Sequence, residues 1–223
     1  MVKVYYSSID WYTEKDYMFM SEIVDYERSR RAEKYIQKED YKRCILGGML
    51  LLYSLYRLNN RIIIPDILID NFGKPSIKNV DKFKYNISHS GIWVVIAISS
   101  YEIGVDVEEI INQREILSNL EPLFSKREIE YLQLKSSQNT MERFTQFWTV
   151  KESYLKYKGV GLFKDLDSFS VIDSGEDRFI KGVISKRVFD NYYLSVFSKH
   201  ERDMIEIKVD STDYKDFVER YKQ

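Results

Sequence analysis

The sequence has very little of several residue types that would point to particular classes of protein. Only one of its 223 residues is a cysteine, so an intrachain disulfide is impossible, which fits a reducing, cytosolic setting. That cysteine, Cys44, and the two histidines, His89 and His200, are too few to assemble the usual ligand set of a zinc site. With three prolines and nine glycines, long disordered linkers are not expected either.

Long apolar runs and a strong net charge are also lacking. The longest apolar run, residues 92–98, is too short to cross a bilayer as a helix, and the start at Met1 lacks the apolar core of an export signal. The formal net charge is -1, which gives no general attraction to nucleic acid or to a membrane. The composition, 44% hydrophobic and 31% charged, predicts a folded cytoplasmic protein of one large or two small domains.

The hydrophobic periodicity changes along the chain and predicts an α+β fold. After a first strand, helical spacing prevails from about residue 13 to 58, and short strands follow. The second half repeats this order, with helices at about 126–135 and 140–158 before its strands. We therefore predict two similar halves, residues 1–103 and 104–223, each with antiparallel strands packed on helices. The predicted later strands are 62–69, 83–87, 92–99, 103–107, 169–172, 179–185, 192–197 and 204–209.

Two adjacent glycines interrupt the helix predicted for residues 38–58. Gly47 and Gly48 each cost about 1 kcal/mol relative to alanine inside a helix. We expect that another part of the chain packs closely against them or that their backbone approaches a ligand.

Acidic residues alternate with apolar residues after the predicted junction of the halves. In a strand, Gly104, Asp106 and Glu108 point to one face, and the two acids lie about 7 Å apart at Cα. Both carboxylates could reach one Mg²⁺ ion, which prefers oxygen ligands and keeps several waters, and Gly104 would leave open space beside them. The alternative is a strand end whose acids face solvent.

A lysine lies in the apolar stripe of the helix predicted over residues 144–158. Lys151 must reach the surface, pair with an acid or bind a buried anion there. Glu152 and Lys156 lie four residues apart, as in a helix salt bridge. They are equally suited to be a metal-binding or basic glutamate beside a phosphate-binding lysine.

Three further segments have both a functional and a structural interpretation. The turn predicted at Ser88–Gly91 could present donors to phosphate or be ordinary hairpin chemistry. The basic stretch from Arg28 to Arg43 could clamp a phosphate or form a solvated helix face. Glu128, three residues after Ser125, completes a capping box, which explains it structurally.

Several segments of the sequence, taken together, resemble those of the phosphopantetheinyl transferases of the Sfp type, which activate peptide synthetases in bacteria. The resemblance covers about residues 2–198. It implies a pseudo-twofold α+β fold. It also implies transfer of the 4'-phosphopantetheine arm of coenzyme A to a serine of an acyl, peptidyl or polyketide carrier protein. We expect the protein to be a monomer. The segments that carry the resemblance are Asn86–Ser90, Gly104–Glu108, Phe147–Ser153 with Lys156, Gly73–Pro75, Lys38–Asp40, Phe124–Glu128, Gly159–Leu162 and Asp167–Phe169.

The resemblance also implies roles for acidic residues. Asp106, Glu108 and Glu152 match the family's magnesium ligands. Glu128 and Glu152 match acids considered as the base for the incoming serine, and metal-bound water is the third possibility.

Basic and polar residues match the coenzyme A site of the family. Ser88 and Lys156 match residues that hold the phosphates. His89, Arg28 and Arg31 match the group around the 3'-phosphate, where the family often has lysine in place of the two arginines.

The remaining implied roles concern the adenine and the charge of the cleft. Gly73, Lys74 and Pro75 match the loop beside the adenine. Cys44 occupies a position where related enzymes can have threonine, so its backbone N–H is the candidate phosphate contact. Lys151, with Lys156, would add positive charge in the cleft.

Two other functions use the same residues. A hydrolase of nucleotide pyrophosphates would use water as the nucleophile. A non-catalytic module would bind coenzyme A or dock on a synthetase.

Overall fold

The computed structural model describes residues 1–111, 120, 122–134, 140–160, 165–173 and 178–222. The helix starts follow ordinary capping chemistry. Before the helix that begins at Glu14, Thr13 and Asp16 each accept the other's backbone N–H. Before the helix that begins at Tyr26, the Asp25 carboxylate accepts the backbone N–H of Arg28. The helices of the described residues are α1 (Glu14–Ile23), α2 (Tyr26–Ala32), α3 (Lys38–Asn59), α4 (Lys126–Leu134), α5 (Thr140–Lys158) and α6 (Ser211–Tyr221).

Antiparallel strands build two sheets and a small hairpin, which confirms the predicted α+β class. The first sheet has the order β4-β5-β1-β9, the second β6-β8-β7, and β2 pairs with β3. All neighbours are antiparallel except β1 and β9. The strands are β1 (Val2–Ser8), β2 (Ile67–Ile69), β3 (Pro75–Ile77), β4 (Lys84–Ser90), β5 (Trp93–Ser99), β6 (Gly104–Glu109), β7 (Val183–Val188), β8 (Tyr192–Phe197) and β9 (Met204–Lys208).

The last part of the chain returns to the first sheet. β9 runs parallel to β1, with Met204 opposite Val2, and the α6 residues Tyr214 and Phe217 are buried in the core beneath α3. The predicted boundary at 103 falls between β5 and β6, but β9 and α6 join the sheet and the core of the N-terminal half. Of these two elements, β9 was predicted from the sequence and α6 was not.

Three predicted strand segments, 62–69, 169–172 and 179–185, are wrong in extent. Of residues 62–69 only Ile67–Ile69 is a strand, since Pro65 has no N–H for a ladder. Among the described residues of 169–182 there is one isolated bridge, Ile172 to Phe179, before β7 begins at Val183. Val171 and Ile172 are buried in one cluster with Phe147 and Val150 of α5.

The two halves meet where β4 lies beside β6, and side chains of β4 bind the backbone of β6. Asn86 Oδ1 accepts the N–H of Val105 at 2.9 Å, and Ser90 Oγ accepts that of Glu109 at 3.1 Å. Ser88 Oγ lies between them and accepts the N–H of the intervening β6 residue at 3.4 Å. This use of the side chains corrects the turn prediction: β4 continues through Ser90, and the hairpin turns at Gly91 (φ 52°).

None of the helices in the described ranges is long and apolar enough to cross a membrane.

Candidate active site

A cavity of about 580 Å³ lies between α2, α3, the turn before β3, β4 and the end of α5. Asn86 and Ile87 of β4 contribute to its wall. The residues predicted to bind coenzyme A are brought together there, with the exception of Ser88. Those lining the cavity are Arg28, Arg31, Cys44, Gly73, Lys74, Pro75, His89 and Lys156.

The two glycines of α3 position Arg28. A Cβ at Gly48 would lie 2.4 Å from Arg28 Cδ, and one at Gly47 would lie 3.4 Å from Arg28 Nη1. The arginine also donates to Asp25 Oδ2 at 3.3 Å and to the Cys44 carbonyl at 3.2 Å. The close approach predicted at Gly47 and Gly48 is therefore confirmed, and its partner is Arg28.

The basic wall of the cavity contains a residue that sequence reasoning did not single out. Arg43 donates to Asp40 Oδ1 and to the Gly91 carbonyl, both at 2.6 Å, and so faces the cavity from α3. His89 is exposed within the open cavity, and its pKa is lowered by partial desolvation and then by the charges of Arg43 and Lys156. Arg43 belongs to the basic stretch, but helical spacing alone did not distinguish it from its solvated neighbours.

The predicted adenine loop is a turn fixed to the second half. Asp70 Oδ1 accepts the backbone N–H of Lys74 at 2.9 Å, and Gly73 has φ 87°. Lys74 Nζ donates to Glu102 Oε2 and to the Tyr157 carbonyl, both at 2.8 Å. The ammonium group thus already has two partners, and it links the turn to α5.

A smaller cavity of about 240 Å³ adjoins the larger one and contains the acidic residues. Ile87, His89 and Lys156 line both cavities, so the two are adjacent. The other residues that line the smaller cavity are Ser88, Asp106, Glu108, Trp148 and Glu152.

Lys156 and Asp106 form the centre of the smaller cavity. Lys156 Nζ lies 2.6 Å from Asp106 Oδ1 and 3.1 Å from Ser88 Oγ, and Ser88 Oγ donates to the same carboxylate at 2.8 Å. Glu108 Oε2 accepts a hydrogen bond from Ser90 Oγ at 2.8 Å. The side chains of the described residues form no ready-made cluster of metal ligands, and a lysine ammonium lies against the central acid.

The acidic groups nevertheless have unused binding capacity. Asp106 Oδ2 and Glu152 Oε1 are buried with no hydrogen-bond partner in the described part of the chain. Burial, and then the charge of Asp106, raises the pKa of Glu108 to about 7. The same two causes raise the pKa of Glu152, and burial raises the pKa of Asp106. Such a set of oxygen atoms fits a divalent cation, which would offset the repulsion between the acids.

Gly104 allows this arrangement in a different way from the one predicted. A Cβ there would lie 2.0 Å from the Ser153 carbonyl oxygen and 2.4 Å from Tyr157 N. Gly104 therefore lets β6 pack directly against the backbone of α5, which brings Asp106 and Glu152 together. The predicted open space beside the acids is absent at this glycine.

Comparison with known proteins assigns the chain to a family. Residues 102–204 match the 4'-phosphopantetheinyl transferase superfamily, and residues 10–101 match a family described as 4'-phosphopantetheinyl transferase, N-terminal. The 4'-phosphopantetheinyl transferase Sfp of Bacillus subtilis strain 168 is 34% identical over 161 residues, which cover 71% of this chain and 70% of that protein. The chain belongs to the 4'-phosphopantetheinyl transferase superfamily.

Other members show similar identity. The 4'-phosphopantetheinyl transferase ffp of Bacillus subtilis is 36% identical over 152 residues, 67% of this chain and 66% of that protein. The 4'-phosphopantetheinyl transferase gsp of Aneurinibacillus migulanus is 35% identical over 154 residues, 68% and 62% respectively. The matched segments thus span about two thirds of these relatives. The family transfers phosphopantetheine from coenzyme A to carrier proteins, so the recognised family and activity agree with the sequence analysis.

Glu128 and Lys151, which were predicted to act in this transferase cleft, lie outside both cavities. Both side chains are 0% exposed, and Lys151 Nζ lies 2.5 Å from Glu128 Oε2. Glu128 also accepts hydrogen bonds from Ser125 and from the backbone N–H of Val171. The apolar stripe of α5 faces the core of the second half, so its lysine pairs with the buried acid. The structure thus gives both residues a structural role, and their catalytic role stays a prediction.

Proposed function

We propose that the two adjacent cavities bind coenzyme A and that the protein transfers its 4'-phosphopantetheine arm to a serine of an acyl, peptidyl or polyketide carrier protein. The observation that carries this proposal is that a basic cavity lies beside an acidic one and shares three lining residues with it. Lys156 and His89 lie where the two meet. A ligand with several phosphates and a reaction centre that binds a cation require this combination.

The basic cavity suits the nucleotide end of coenzyme A. Arg28, Arg31 and Arg43 surround the cavity beside His89, which supports binding of the 3'-phosphate at this wall. The turn at Gly73–Pro75 lies at the other side of the same cavity and is the proposed adenine contact. Since Lys74 Nζ is bound to Glu102 and Tyr157, we assign Lys74 to holding this turn in place.

The acidic cavity suits Mg²⁺ and the reacting phosphate. Asp106 and Glu108 on β6 and Glu152 on α5 would hold the ion, and the unpartnered oxygens of Asp106 and Glu152 support this assignment. A bound Mg²⁺ ion would offset the charge of the pyrophosphate and of the leaving group. Lys156, on the next turn of α5, supplies a fixed positive charge between the two cavities.

Transfer forms a bond between the serine oxygen and the β-phosphorus and breaks the bond to adenosine 3',5'-bisphosphate, which leaves. The serine proton must pass to a base in the cleft. Of the two candidate acids, Glu152 lines the acidic cavity and Glu128 does not. We therefore assign proton acceptance to Glu152.

The decisive experiment is the intact mass of an apo carrier protein after incubation with this protein, coenzyme A and Mg²⁺. We expect a gain of one phosphopantetheine group that is lost when a chelator is added. Glu152→Gln should abolish the gain, whereas Glu219→Gln, which removes an exposed acid of α6, should leave it unchanged. Consumption of coenzyme A without any carrier would indicate the hydrolase, and coenzyme A binding with no modified carrier of any type would indicate the binding module.

A further inference from the structure

An aspartate that no sequence motif indicated lies in the wall of the larger cavity, among its arginines. Asp25 precedes α2, and its side chain is 18% exposed. Oδ1 accepts the backbone N–H of Arg28 at 2.9 Å and so caps the helix, and Oδ2 accepts the Nε hydrogen of the same arginine at 3.3 Å. A negative charge in a cavity that is proposed to bind phosphates needs an explanation, because the two repel each other.

The contacts of Arg28 leave one of its three side-chain nitrogens available for a ligand. Nε is bound to Asp25, and Nη1 donates to the Cys44 carbonyl at 3.2 Å. Nη2 has no hydrogen-bond partner among the described residues, and it is not one of the unpartnered polar atoms that are shielded from solvent there. Since Arg28 lines the cavity, Nη2 is the nitrogen that remains accessible from it.

The stem of Arg28 is packed as firmly as its two bound nitrogens. The side chain is 10% exposed, and its Cδ lies 2.4 Å from the position that a Cβ of Gly48 would take. A side chain that is ordered before its ligand arrives does not lose rotamer freedom on binding, which favours affinity. An arginine can bind an acid with one nitrogen and a phosphate with another, whereas a lysine has a single nitrogen for both.

We propose that Asp25 is a positioning residue that binds Nε of Arg28 and thereby directs Nη2 towards a phosphate in the cavity. The inference rests on the proposed function, which places the 3'-phosphate of coenzyme A at this wall. An acid that only capped α2 would not affect the phosphate through Arg28. An acid that acted only by its charge would repel the phosphate, so its removal would strengthen binding, whereas removal of a positioning residue weakens it.

The test compares two nucleotides that differ only in the 3'-phosphate, adenosine 3',5'-bisphosphate and adenosine 5'-phosphate, by calorimetry on the full chain. We expect the unchanged protein to bind the bisphosphate more tightly. Asp25→Asn should reduce this preference about fivefold or more, because an amide nitrogen cannot accept the Nε hydrogen of Arg28. Its melting temperature should stay the same, since asparagine caps a helix as well as aspartate does. Asp25→Ser, which also caps the helix but has no second oxygen for Nε, should reduce the preference too.

A double-variant cycle shows whether Asp25 acts through Arg28. In Arg28→Met, which keeps an apolar stem but has no N–H donors, Asp25→Asn should not change the preference further. The matched control is Asp210→Asn, which alters the cap of α6 away from the cavity and should keep the full preference.

The outcomes separate this inference from the proposed function. A preference that survives both substitutions of Asp25, that increases, or that falls equally with and without Arg28 would overturn the role of Asp25 and leave the proposed phosphate site intact. If the unchanged protein shows no preference for the bisphosphate, the proposed phosphate site and the role of Asp25 are both wrong.

Discussion

Replacing Lys151 with methionine removes the positive charge of a fully buried ion pair, and the structure indicates how much stability is lost. Removal of one partner of such a pair costs about 3–5 kcal/mol, because the other charge stays buried. The Glu128 carboxylate would keep three donors, Ser125 N, Ser125 Oγ and Val171 N. We therefore expect Lys151→Met to cost about 3 kcal/mol, at the lower end of that range.

Glu128→Gln should be the more damaging single change. The Lys151 ammonium would keep the Phe169 carbonyl at 2.9 Å and the faces of Phe124 and Phe169, but it would lose the negative charge that lies 2.5 Å away in the native pair. The new amide nitrogen cannot accept the Ser125 N–H either. We expect a loss of about 4–5 kcal/mol. The double variant should lose less than the sum of the two by about 1–3 kcal/mol, because it removes both charges of the pair together.

Urea unfolding of all four proteins, followed by tryptophan fluorescence, measures these free energies. The phosphopantetheine transfer rate of the folded fraction at low temperature provides the second readout. We expect nearly normal kcat in each variant that remains folded. A loss below about 1 kcal/mol for Lys151→Met, or additive losses, would refute the structural role. A large fall in kcat for Glu128→Gln at unchanged stability would indicate that Glu128 has a catalytic role after all.

Three further predictions concern the cleft itself. Gly48→Ala should raise the KM for coenzyme A about tenfold with little change in kcat, because its Cβ would lie 2.4 Å from Arg28 Cδ and displace the guanidinium; steady-state kinetics check this. Glu152→Gln should raise the stability of the metal-free protein by about 1 kcal/mol, since it removes repulsion with Asp106, and should abolish thermal stabilisation by Mg²⁺. The pKa of His89 is lowered in the free protein and should rise beside a phosphate, so coenzyme A should bind more tightly as the pH falls towards 6. Binding should then take up protons, which calorimetry in two buffers of different ionisation enthalpy detects. His89→Asn should abolish this proton uptake.

The sequence predicted those features that depend on neighbours along the chain. The glycine pair in α3 predicted that another group packs closely against the helix, and the alternation of apolar and acidic residues in β6 predicted that Asp106 and Glu108 share one face. It also identified Lys151 as a charge in an apolar stripe that needed a partner. Its partner, Glu128, was already known as a capping residue, but spacing could not show that one carboxylate serves both purposes.

Local sequence patterns could not predict contacts between segments that lie far apart in the chain. β9 pairs with β1 across about 200 residues, so nothing local distinguished it from the strands of the second half. The Ser-His segment had the composition of a turn, whereas its hydroxyls bind the backbone of a strand nearly twenty residues further on. Periodicity reports which face a residue shares with its neighbours, and it carries no information on which other element that face meets.

Ser88 shows how the junction of the halves and the acidic cavity depend on the same atoms. A hydroxyl has one donor and can accept two hydrogen bonds. Ser88 Oγ donates to Asp106, accepts the N–H of Val107 and accepts from Lys156 Nζ, so its capacity is fully used. A phosphate can receive the hydroxyl hydrogen only if Ser88 releases Asp106. The assignment of Ser88 as a direct phosphate contact therefore requires a rearrangement at Asp106, whereas Lys156, with three N–H donors, can reach a phosphate without leaving either partner.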